Sequence, residues 1–376
     1  MTPTENHRII DRMLQHLADG TTDLAAHSIE IPSGEFIDTA RFQRERQKLF
    51  MEMPQVVAFS GEIAQPGSYM TTTILDVPVL LTRAADGKVR AFLNVCKHRG
   101  APVAAGCGEA RRLTCPFHGW SYDLDGSLAG RREAAAFTDM EHDSNLIALP
   151  VAEMCGLIIV GAQTTVPQQK LENALSGIDA ALAGFDFTDA MSVGRHRYEA
   201  AANWKLVAGL SHEAYHFASV HRSSLAPLMY DRAVVDTFGQ HTRWAFAFRG
   251  IEKLAKIDVA QWPDAFPGAM NHTIFPATVI VVNSGDAEMI RVEPGRLTGE
   301  SVVYYSGVAR DKDNFEACRE AFEFGGKLFE EEDLPAAEAC QKGLSAGLPT
   351  VIVGRNEPVV QHWHQSWNKA LEGEKY

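Results

Sequence analysis

The sequence predicts an α+β protein with two domains, an all-β domain followed by a domain of antiparallel sheet with packed helices. Short apolar runs broken by turn residues fill the chain from Val56 to Val160, a texture typical of an all-β domain. Beyond it, strand-like alternation, as at Thr242–Phe248 and Thr278–Asn283, is mixed with helical patterns. A length of 376 residues also exceeds one core of ordinary size and indicates about two domains.

The elements follow in order along the chain. Apolar residues at helical spacing predict an opening helix over Asn6–Leu17, and a second helix is expected over Thr39–Phe50. The polar stretch Thr164–Gln169 precedes another helical pattern at Leu171–Leu182, and a charged helix is predicted from Asn314 to Glu332. These patterns divide the chain into an N-terminal helical segment, an all-β domain and a second domain at residues 1–50, 51–163 and 164–376.

Composition and charge narrow the function classes. Hydrophobic residues make up 45% and charged residues 22%, as in globular proteins, and the net charge of −13 disfavours a nucleic-acid partner. The most apolar run, Leu146–Ala162, is interrupted by Pro150 and Glu153, so no membrane span is expected. Six cysteines are too few for a disulfide scaffold in a chain of this length, and a reducing cytoplasm is the predicted location.

Two Cys and His pairs form the first candidate site. Cys96 and His98 make a C-x-H pair, and Cys115 and His118 make a C-x-x-H pair. A Rieske-type 2Fe-2S cluster needs two thiolates on one iron and two imidazoles on the other. A tetrahedral zinc site is the alternative, although its usual ligand spacings differ from these. Cys107, between the two pairs, is expected to have no metal role.

The second candidate site is a histidine-rich segment that begins at Asn203, a good helix N-cap. Glu213 and His216 are three residues apart and should share a helix face, whereas His221 requires the helix to end or distort. Two imidazoles and one carboxylate are the usual ligands of non-haem Fe(II) in oxygenases. Spacing alone does not choose the carboxylate within 330–333. It also leaves five other histidines open as ligands, namely His212, His241, His272, His362 and His364.

In this order, the two sites resemble those of the α subunits of Rieske non-haem iron ring-hydroxylating oxygenases. The likeness covers most of the chain, from the helix before Phe50 to His364, and the cluster loops are its most specific part. It implies an all-β Rieske domain and a catalytic domain of the helix-grip type. It also implies that Cys96, His98, Cys115 and His118 bind the 2Fe-2S cluster.

For the second metal, the resemblance implies that His216, His221 and Asp333 hold one mononuclear Fe(II). Asp333 is preferred because Glu338 and Gln341 follow it at the family's spacing. The resemblance also implies that Glu213 is a catalytic acid that bridges His216 to a cluster histidine, His118, of a neighbouring subunit. Two departures stand out, Glu213 where most members have Asp, and the pair Gly209 and Leu210 where an acid and an amide often stand.

The function that the resemblance implies is that of a terminal oxygenase. Electrons from NAD(P)H arrive through a reductase, with or without a ferredoxin, and a small organic substrate is hydroxylated. A homotrimer is expected, and a small β subunit is left open. An aromatic substrate, and with it aromatic hydrocarbon catabolism, is the first expectation. N- or O-demethylation is the first alternative, and an electron-transfer Rieske protein without oxygenase activity is the second.

Apolar bulk between Leu225 and Val282 is expected to line the substrate pocket. The residues expected there are Leu228, Met229, Trp244, Phe246, Phe248 and Phe275. Arg243, Arg249 and Arg291 are candidates to hold a substrate carboxylate, although strand residues of this kind often face solvent.

Overall fold

The structure is a computed structural model and describes residues 2–139, 143–185 and 187–373. The chain divides into two compact units. The first comprises the chain up to Leu49, a stretch that begins at Leu175, and the described residues from Ala190 onwards. The second comprises Phe50–Ala174 together with Phe187–Asp189. Within the described ranges, no helix is long and apolar enough to span a membrane.

The N-terminal part of the first unit is mainly helical. Its elements are α1 (Pro3–Asp19), β1 (Ile29–Pro32), α2 (Gly34–Ile37) and α3 (Thr39–Glu45), and a widened helical turn follows at Arg46–Met51. Thr2 caps α1 through its side chain, and Gly20 ends it in the left-handed conformation. Helix α1 buries Ile9, Ile10 and Met13 against the seven-stranded sheet of the same unit, which is described below. Both predicted helices therefore exist, and α1 is longer than predicted.

The second unit is built almost wholly of short antiparallel strands. In chain order they are β2 (Gln55–Phe59), β3 (Ser68–Ile74), β4 (Val77–Arg83), β5 (Val89–Leu93), β6 (Cys107–Glu109), β7 (Arg112–Thr114), β8 (Ser121–Asp123), β9 (Leu128–Gly130), β10 (Ala148–Leu149), β11 (Val151–Met154) and β12 (Leu157–Val160), followed by the short helix α4 (Gln168–Glu172). They form sheets of order β10-β5-β4-β3-β6, β11-β12-β2 and β7-β8-β9. The all-β character predicted for this part of the chain is confirmed.

The rest of the first unit surrounds a seven-stranded antiparallel sheet. Its elements are α5 (Asp179–Leu182), β13 (Met191–Ala200), α6 (Trp204–Gly209), β14 (Val234–Phe238), β15 (His241–Ala247), β16 (Gly268–Ile274), β17 (Thr278–Val282), β18 (Asp286–Pro294), β19 (Ser301–Ala309), α7 (Phe315–Leu328), α8 (Leu334–Ser345), β20 (Thr350–Val353) and α9 (Pro358–Glu372). The sheet order is β13-β19-β18-β17-β16-β15-β14, and β20 pairs with β1. The predicted α+β class is confirmed.

Two predicted helices are broken in the structure. The segment after Asn203 is α-helical only over Trp204–Gly209, and Glu213 has an extended backbone (φ −154°, ψ 161°) before a short helical turn at Tyr215–Ala218. The expectation that Glu213 and His216 share a continuous helix face was therefore wrong. The pattern at Leu171–Leu182 is likewise split, into α4 and α5.

A buried polar network fixes the start of α6. Glu45, at the end of α3, accepts hydrogen bonds from the Trp204 indole at 2.9 Å and the Lys205 ammonium at 2.5 Å. Both members of the Glu45 and Lys205 pair are fully buried, and removing one member of such a pair typically costs about 3–5 kcal/mol. Asn203 caps α6, as predicted, by accepting from the Lys205 amide at 3.0 Å.

Candidate functional site

In the second unit, the two Cys and His loops share one backbone design. In each loop, the cysteine carbonyl accepts a hydrogen bond from the amide of a glycine four residues later. The cysteine amide donates to the carbonyl of the residue that follows this glycine. Gly100 and Gly119 have φ of 78° and 73°, where a glycine is strain-free. The bonds are Gly100 N to Cys96 O (2.9 Å), Cys96 N to Ala101 O (2.8 Å), Gly119 N to Cys115 O (3.0 Å) and Cys115 N to Trp120 O (2.8 Å).

These loops bring the four predicted side chains together. Cys96 and Cys115 are each 2% exposed in one core cluster, and the imidazoles of His98 and His118 meet edge to face with centroids 4.4 Å apart. The Nδ1 atoms of both histidines are buried and have no hydrogen-bond partner. Because a buried polar atom without a partner is unfavourable, this pair of nitrogens fits ligation to a metal.

Surrounding residues suit metal binding at these loops. Desolvation, with help from His98 and Arg99, lowers the pKa of His118 and so favours the neutral imidazole that a metal requires. Tyr122 contacts the Cys96 sulfur through its hydroxyl at 3.4 Å, and the Lys97 amide donates to the same hydroxyl at 3.2 Å. Trp120 stacks on His98 with nearly parallel rings. Sequence reasoning missed Tyr122, whose position two residues beyond Trp120 was its only signal.

In the first unit, His216, His221 and Asp333 converge. One ligand atom from each lies within 4.8 Å of the others, and this is the only such cluster among the described residues. The Nε2 atoms of His216 and His221 lie 3.6 and 3.1 Å from Oδ1 of the buried Asp333. Two imidazoles and a carboxylate facing one point fit a mononuclear iron.

The opposite ring nitrogens of both histidines are held by carboxylates. Glu213 pairs with His216 Nδ1 and also accepts from the His216 amide at 3.1 Å. Glu332 accepts from His221 Nδ1 and from the Ser224 hydroxyl, both at 2.7 Å. Such partners orient metal-binding histidines. Sequence reasoning did not find this role of Glu332, which it treated as a rival ligand.

Local backbone shape explains how distant residues meet. Asp333 ends a widened helical turn, Phe329–Asp333, between α7 and α8, and such turns are frequent at functional sites. Glu338 and Gln341, which follow it on α8, accept hydrogen bonds from the amides of Ala201 and Asn203, both at 2.9 Å. The spacing of Asp333, Glu338 and Gln341 thus ties the carboxylate to the segment that carries the histidines.

Charge accumulates around this cluster. Desolvation lowers the pKa of His221, but hydrogen bonds and charge from Asp333 and Glu332 outweigh it and raise that pKa overall. Together with Glu213, three carboxylates surround two imidazoles. The excess of negative charge suits a divalent cation.

The five rival histidines lie outside this cluster. His212, for example, is fully buried, contacts the Ala208 carbonyl at 2.5 Å and stacks on Trp363, and its burial lowers its pKa to about 4. It is a core histidine. Cys107 is exposed in β6.

A cavity of about 400 Å³ opens beside the cluster and is lined by His216, His221 and Asp333. Five of the six apolar residues predicted to line a pocket do so: Leu228, Met229, Trp244, Phe246 and Phe248. Phe275 does not, because it follows the end of β16 and is buried in the core. Leu210, at one departure from the family pattern, also lines the cavity.

The three arginines that were expected to hold a substrate carboxylate instead bind other groups of the protein. Arg243 pairs with Glu5 and Asp236, Arg249 donates to the Ala226 carbonyl at 3.0 Å, and Arg291 pairs with Glu293. Arg243 and Arg291 are buried rather than solvent-exposed. No lysine or arginine is found among the described residues that line the cavity, whereas Asp286 and Glu288 are.

Comparison with known proteins assigns both units to known domain families. Residues 53–142 match the profile of the Rieske [2Fe-2S] domain, and residues 187–373 match the ring hydroxylating alpha subunit (catalytic domain).

Of two individual relatives, one matches most of the chain and the other matches about half of it. The carnitine monooxygenase oxygenase subunit of Acinetobacter baumannii is 27% identical over 81% of this chain and 82% of its own length. The glycine betaine monooxygenase oxygenase subunit of Pseudomonas aeruginosa is 31% identical over 54% of this chain and 47% of its own.

Two solved structures share the fold. One is a quaternary ammonium Rieske monooxygenase, described in terms of carnitine oxidation and inter-subunit electron transfer, with TM-score 0.74, 23% identity and coverage of 93% of this chain and 95% of its own. The other is naphthalene 1,2-dioxygenase with bound indole, with TM-score 0.74, 19% identity and 93% coverage of both chains. At these identities, the likeness speaks for the fold alone.

Proposed function

Because this chain belongs to the Rieske non-haem iron oxygenases as an α subunit, we propose that its substrate is an N-methylated ammonium compound. The protein is an oxidoreductase, the terminal oxygenase that receives electrons from a reductase. The observation that carries the substrate proposal is the cavity beside His216, His221 and Asp333, which combines aromatic side chains with the further acids Asp286 and Glu288 and has no lysine or arginine among its described lining. An electron-transfer protein would need no such cavity.

The ligand roles follow from the donor sets. Cys96 and Cys115 would hold one iron of the cluster, and the free Nδ1 atoms of His98 and His118 the other. The Rieske profile over these loops favours a cluster over structural zinc. His216, His221 and Asp333 would hold the mononuclear Fe(II). When bound, the two centres would supply electron transfer and dioxygen activation.

The proposed reaction is a two-electron monooxygenation. A substrate C–H bond becomes C–OH with one atom of O₂, and the other oxygen leaves as water with two electrons from the reductase and two protons. Hydroxylation of an N-methyl group gives a hydroxymethyl amine, which breaks its C–N bond to release formaldehyde. The chain's own residues orient the substrate, exclude water and hold the His216 and His221 rings through Glu213 and Glu332.

This proposal replaces the aromatic substrate, which was the first expectation, with the first alternative, demethylation of an N- or O-methyl group. A neutral aromatic compound gives no reason for Glu288, an acid in the cavity that no nearby cation offsets, because an uncompensated buried acid is unfavourable. An ammonium ion offsets that charge and is also attracted to aromatic faces. The relatives named for carnitine and glycine betaine point the same way. An O-methyl group carries no charge, so O-demethylation is less well supported.

Glu213 is proposed as the bridge between subunits. Its side chain is 13% exposed and already pairs with His216, so it is not an ordinary solvated acid. In a trimer, its carboxylate would also accept a hydrogen bond from His118 of a neighbouring copy and carry the link from cluster to iron. The solved relative described in terms of inter-subunit electron transfer supports such a route.

We propose several further properties of this protein. They are the domain limits at residues 50 and 163, the homotrimer, the cytoplasmic location, a ferredoxin between reductase and oxygenase, and a small β subunit. Size measurement of the purified protein would test the trimer and the β subunit together.

A turnover assay tests the substrate proposal. The holoenzyme with a generic reductase and NAD(P)H is offered N-methylated ammonium ions and aromatic hydrocarbons in parallel, and product is measured by mass spectrometry. We expect products from the ammonium ions alone, and none in either set with His221→Ala. Oxidation of the arenes alone would contradict the proposal.

A further inference from the structure

One acid that lines the cavity, Glu288, has no charged partner of opposite sign among the residues that the structure describes. Strand β18 alternates, so Asp286, Glu288 and Ile290 face the cavity while Ala287 and Met289 face away. Glu288 is only partly exposed, and that surface lines the cavity. Its one side-chain hydrogen bond comes from the Tyr305 hydroxyl to Oε2 at 2.6 Å.

We propose, resting on the function proposed above, that Glu288 and Tyr305 form the subsite for the substrate's ammonium head, and that the substrate is an organic ammonium ion without a carboxylate.

Glu288 differs from the neighbouring acid, Asp286, because no nearby cation offsets its charge. Asp286 is attracted by the Arg310 guanidinium and by the amide of Asn283, whereas the groups that act on Glu288 are Tyr305 and the like charge of Asp286. A carboxylate kept in a low-dielectric site without a cation is strongly unfavourable. A cation entering the cavity would therefore gain most at Glu288.

Aromatic rings complete the subsite. Tyr305 is 2% exposed and is held by packing against Phe322 and Phe329, with centroids 5.2 and 6.1 Å apart. Trp244 and Phe246 stack on each other on β15, three strands away from Glu288 in the sheet, and so line another part of the cavity. Ring faces attract alkylammonium ions, and the attraction grows when both are removed from water.

A glycine on α7 makes room for the pair. A Cβ at Gly325 would lie 2.6 Å from the Tyr305 hydroxyl and 3.2 Å from Glu288 Oε1. Both distances are shorter than normal carbon to oxygen contacts. Only hydrogen at position 325 leaves the hydroxyl and the carboxylate where they are.

The residues that line the cavity also restrict the charge that the rest of the substrate can carry. A carboxylate on the substrate would share the cavity with Asp286 and Glu288, and no described lining residue is a lysine or arginine. Repulsion between like charges in a low-dielectric cavity opposes such a ligand. Amines and amino alcohols fit this cavity, and amino acid betaines do not.

Cation binding should be coupled to proton release. Desolvation raises the pKa of Glu288 to about 8, the Tyr305 hydrogen bond opposes the rise, and Asp286 adds to it. The other titratable groups on the cavity wall are the proposed iron ligands His216, His221 and Asp333. Because a bound cation favours the ionised carboxylate, the affinity for a cation should increase with pH up to about 8.

Binding measurements on the holoenzyme without reductase test the proposal. The probes are choline, glycine betaine and 3,3-dimethylbutan-1-ol, which share a branched head and differ in the charge of head or tail. Calorimetry on wild type should show choline as the tightest ligand. Glu288→Gln should weaken choline at least tenfold at pH 8, or about 1.4 kcal/mol, and leave the neutral alcohol unchanged.

Two variants serve as controls. Asp286→Asn should weaken choline less than Glu288→Gln, since Arg310 offsets Asp286. Tyr305→Phe removes the hydrogen bond that lowers the pKa of Glu288, so its choline affinity should rise with pH along a curve displaced to higher pH. The second variant keeps the proposal testable if Glu288→Gln does not fold.

Four results would overturn the proposal: unchanged choline binding in Glu288→Gln, a larger loss in Asp286→Asn, an undisplaced pH curve in Tyr305→Phe, or betaine binding as tightly as choline in wild type. These failures differ from failure of the proposed function, in which the wild-type enzyme turns over no N-methylated ammonium ion at all.

Discussion

Glu332 gives the sharpest test of how the mononuclear site is held. It accepts hydrogen bonds from His221 Nδ1 and the Ser224 hydroxyl, both at 2.7 Å. Loss of such a partner typically lowers metal affinity about 10–100-fold, which corresponds to about 1.4–2.7 kcal/mol. Because Glu332 keeps 32% of its side chain exposed, water can replace part of the interaction. We therefore expect about tenfold for Glu332→Gln and a larger loss for Glu332→Ala.

The assay separates the two metal centres. Mononuclear iron is titrated with a competing chelator under anaerobic conditions, while the visible absorption of the cluster is followed in the same sample. Glu331→Ala is the matched control, because Glu331 is 62% exposed and its one ion pair, with Lys327, is 3.9 Å long. Wild-type iron affinity in Glu332→Ala, or an equal loss in Glu331→Ala, would refute the positioning role.

Three further predictions concern other parts of the chain. His118→Ala should abolish the cluster absorption without removing the mononuclear iron, and an unchanged spectrum would contradict the ligand assignment. Glu213→Gln should give a trimer with both centres filled and a cluster that its donor reduces, yet with a large loss of product, so that wild-type turnover would refute the bridge. In substrate-free protein, Glu288 holds a proton from about pH 5 to 8 that the unfolded chain releases, because its pKa is raised to about 8. The unfolding free energy of wild type relative to Glu288→Gln should therefore fall by about 1.4 kcal/mol per pH unit across that window, and a flat difference in denaturant titrations would contradict the burial argument.

The cluster loops could be read from sequence because their chemistry is local. Cys96 and His98 are two residues apart, and Cys115 and His118 are three apart, so short loops suffice to bring each pair together. Few functions other than metal binding explain such pairs. Tyr122 escaped notice because a tyrosine in a strand is ordinary, and only its contact with Cys96 gives it meaning.

The mononuclear site was harder to derive because its parts are distant in sequence. Glu332 and Asp333 are adjacent acids that face opposite nitrogens of the His221 ring, and only the widened turn before α8 decides which reaches which. The continuous helix expected at Glu213 failed because the chain adopts extended backbone there. Helical spacing alone cannot anticipate that break.

The acids of the cavity did carry a sequence signal that was not used. Asp286 and Glu288 alternate with Ala287 and Met289 in a strand, and a central strand with apolar residues on one face leaves the acids on the other. Whether that other face meets solvent or a cavity depends on α7 and Gly325, which pack over it in the folded chain.

Metal and sulfide analysis per chain tests the central claim most directly, namely that separate residues of one chain hold a cluster and a mononuclear iron. Wild type should contain about three irons and two sulfides per chain, and Asp333→Ala about two of each, with its cluster spectrum intact. A wild-type protein with about two irons, or an Asp333→Ala variant that keeps all three, would contradict the account.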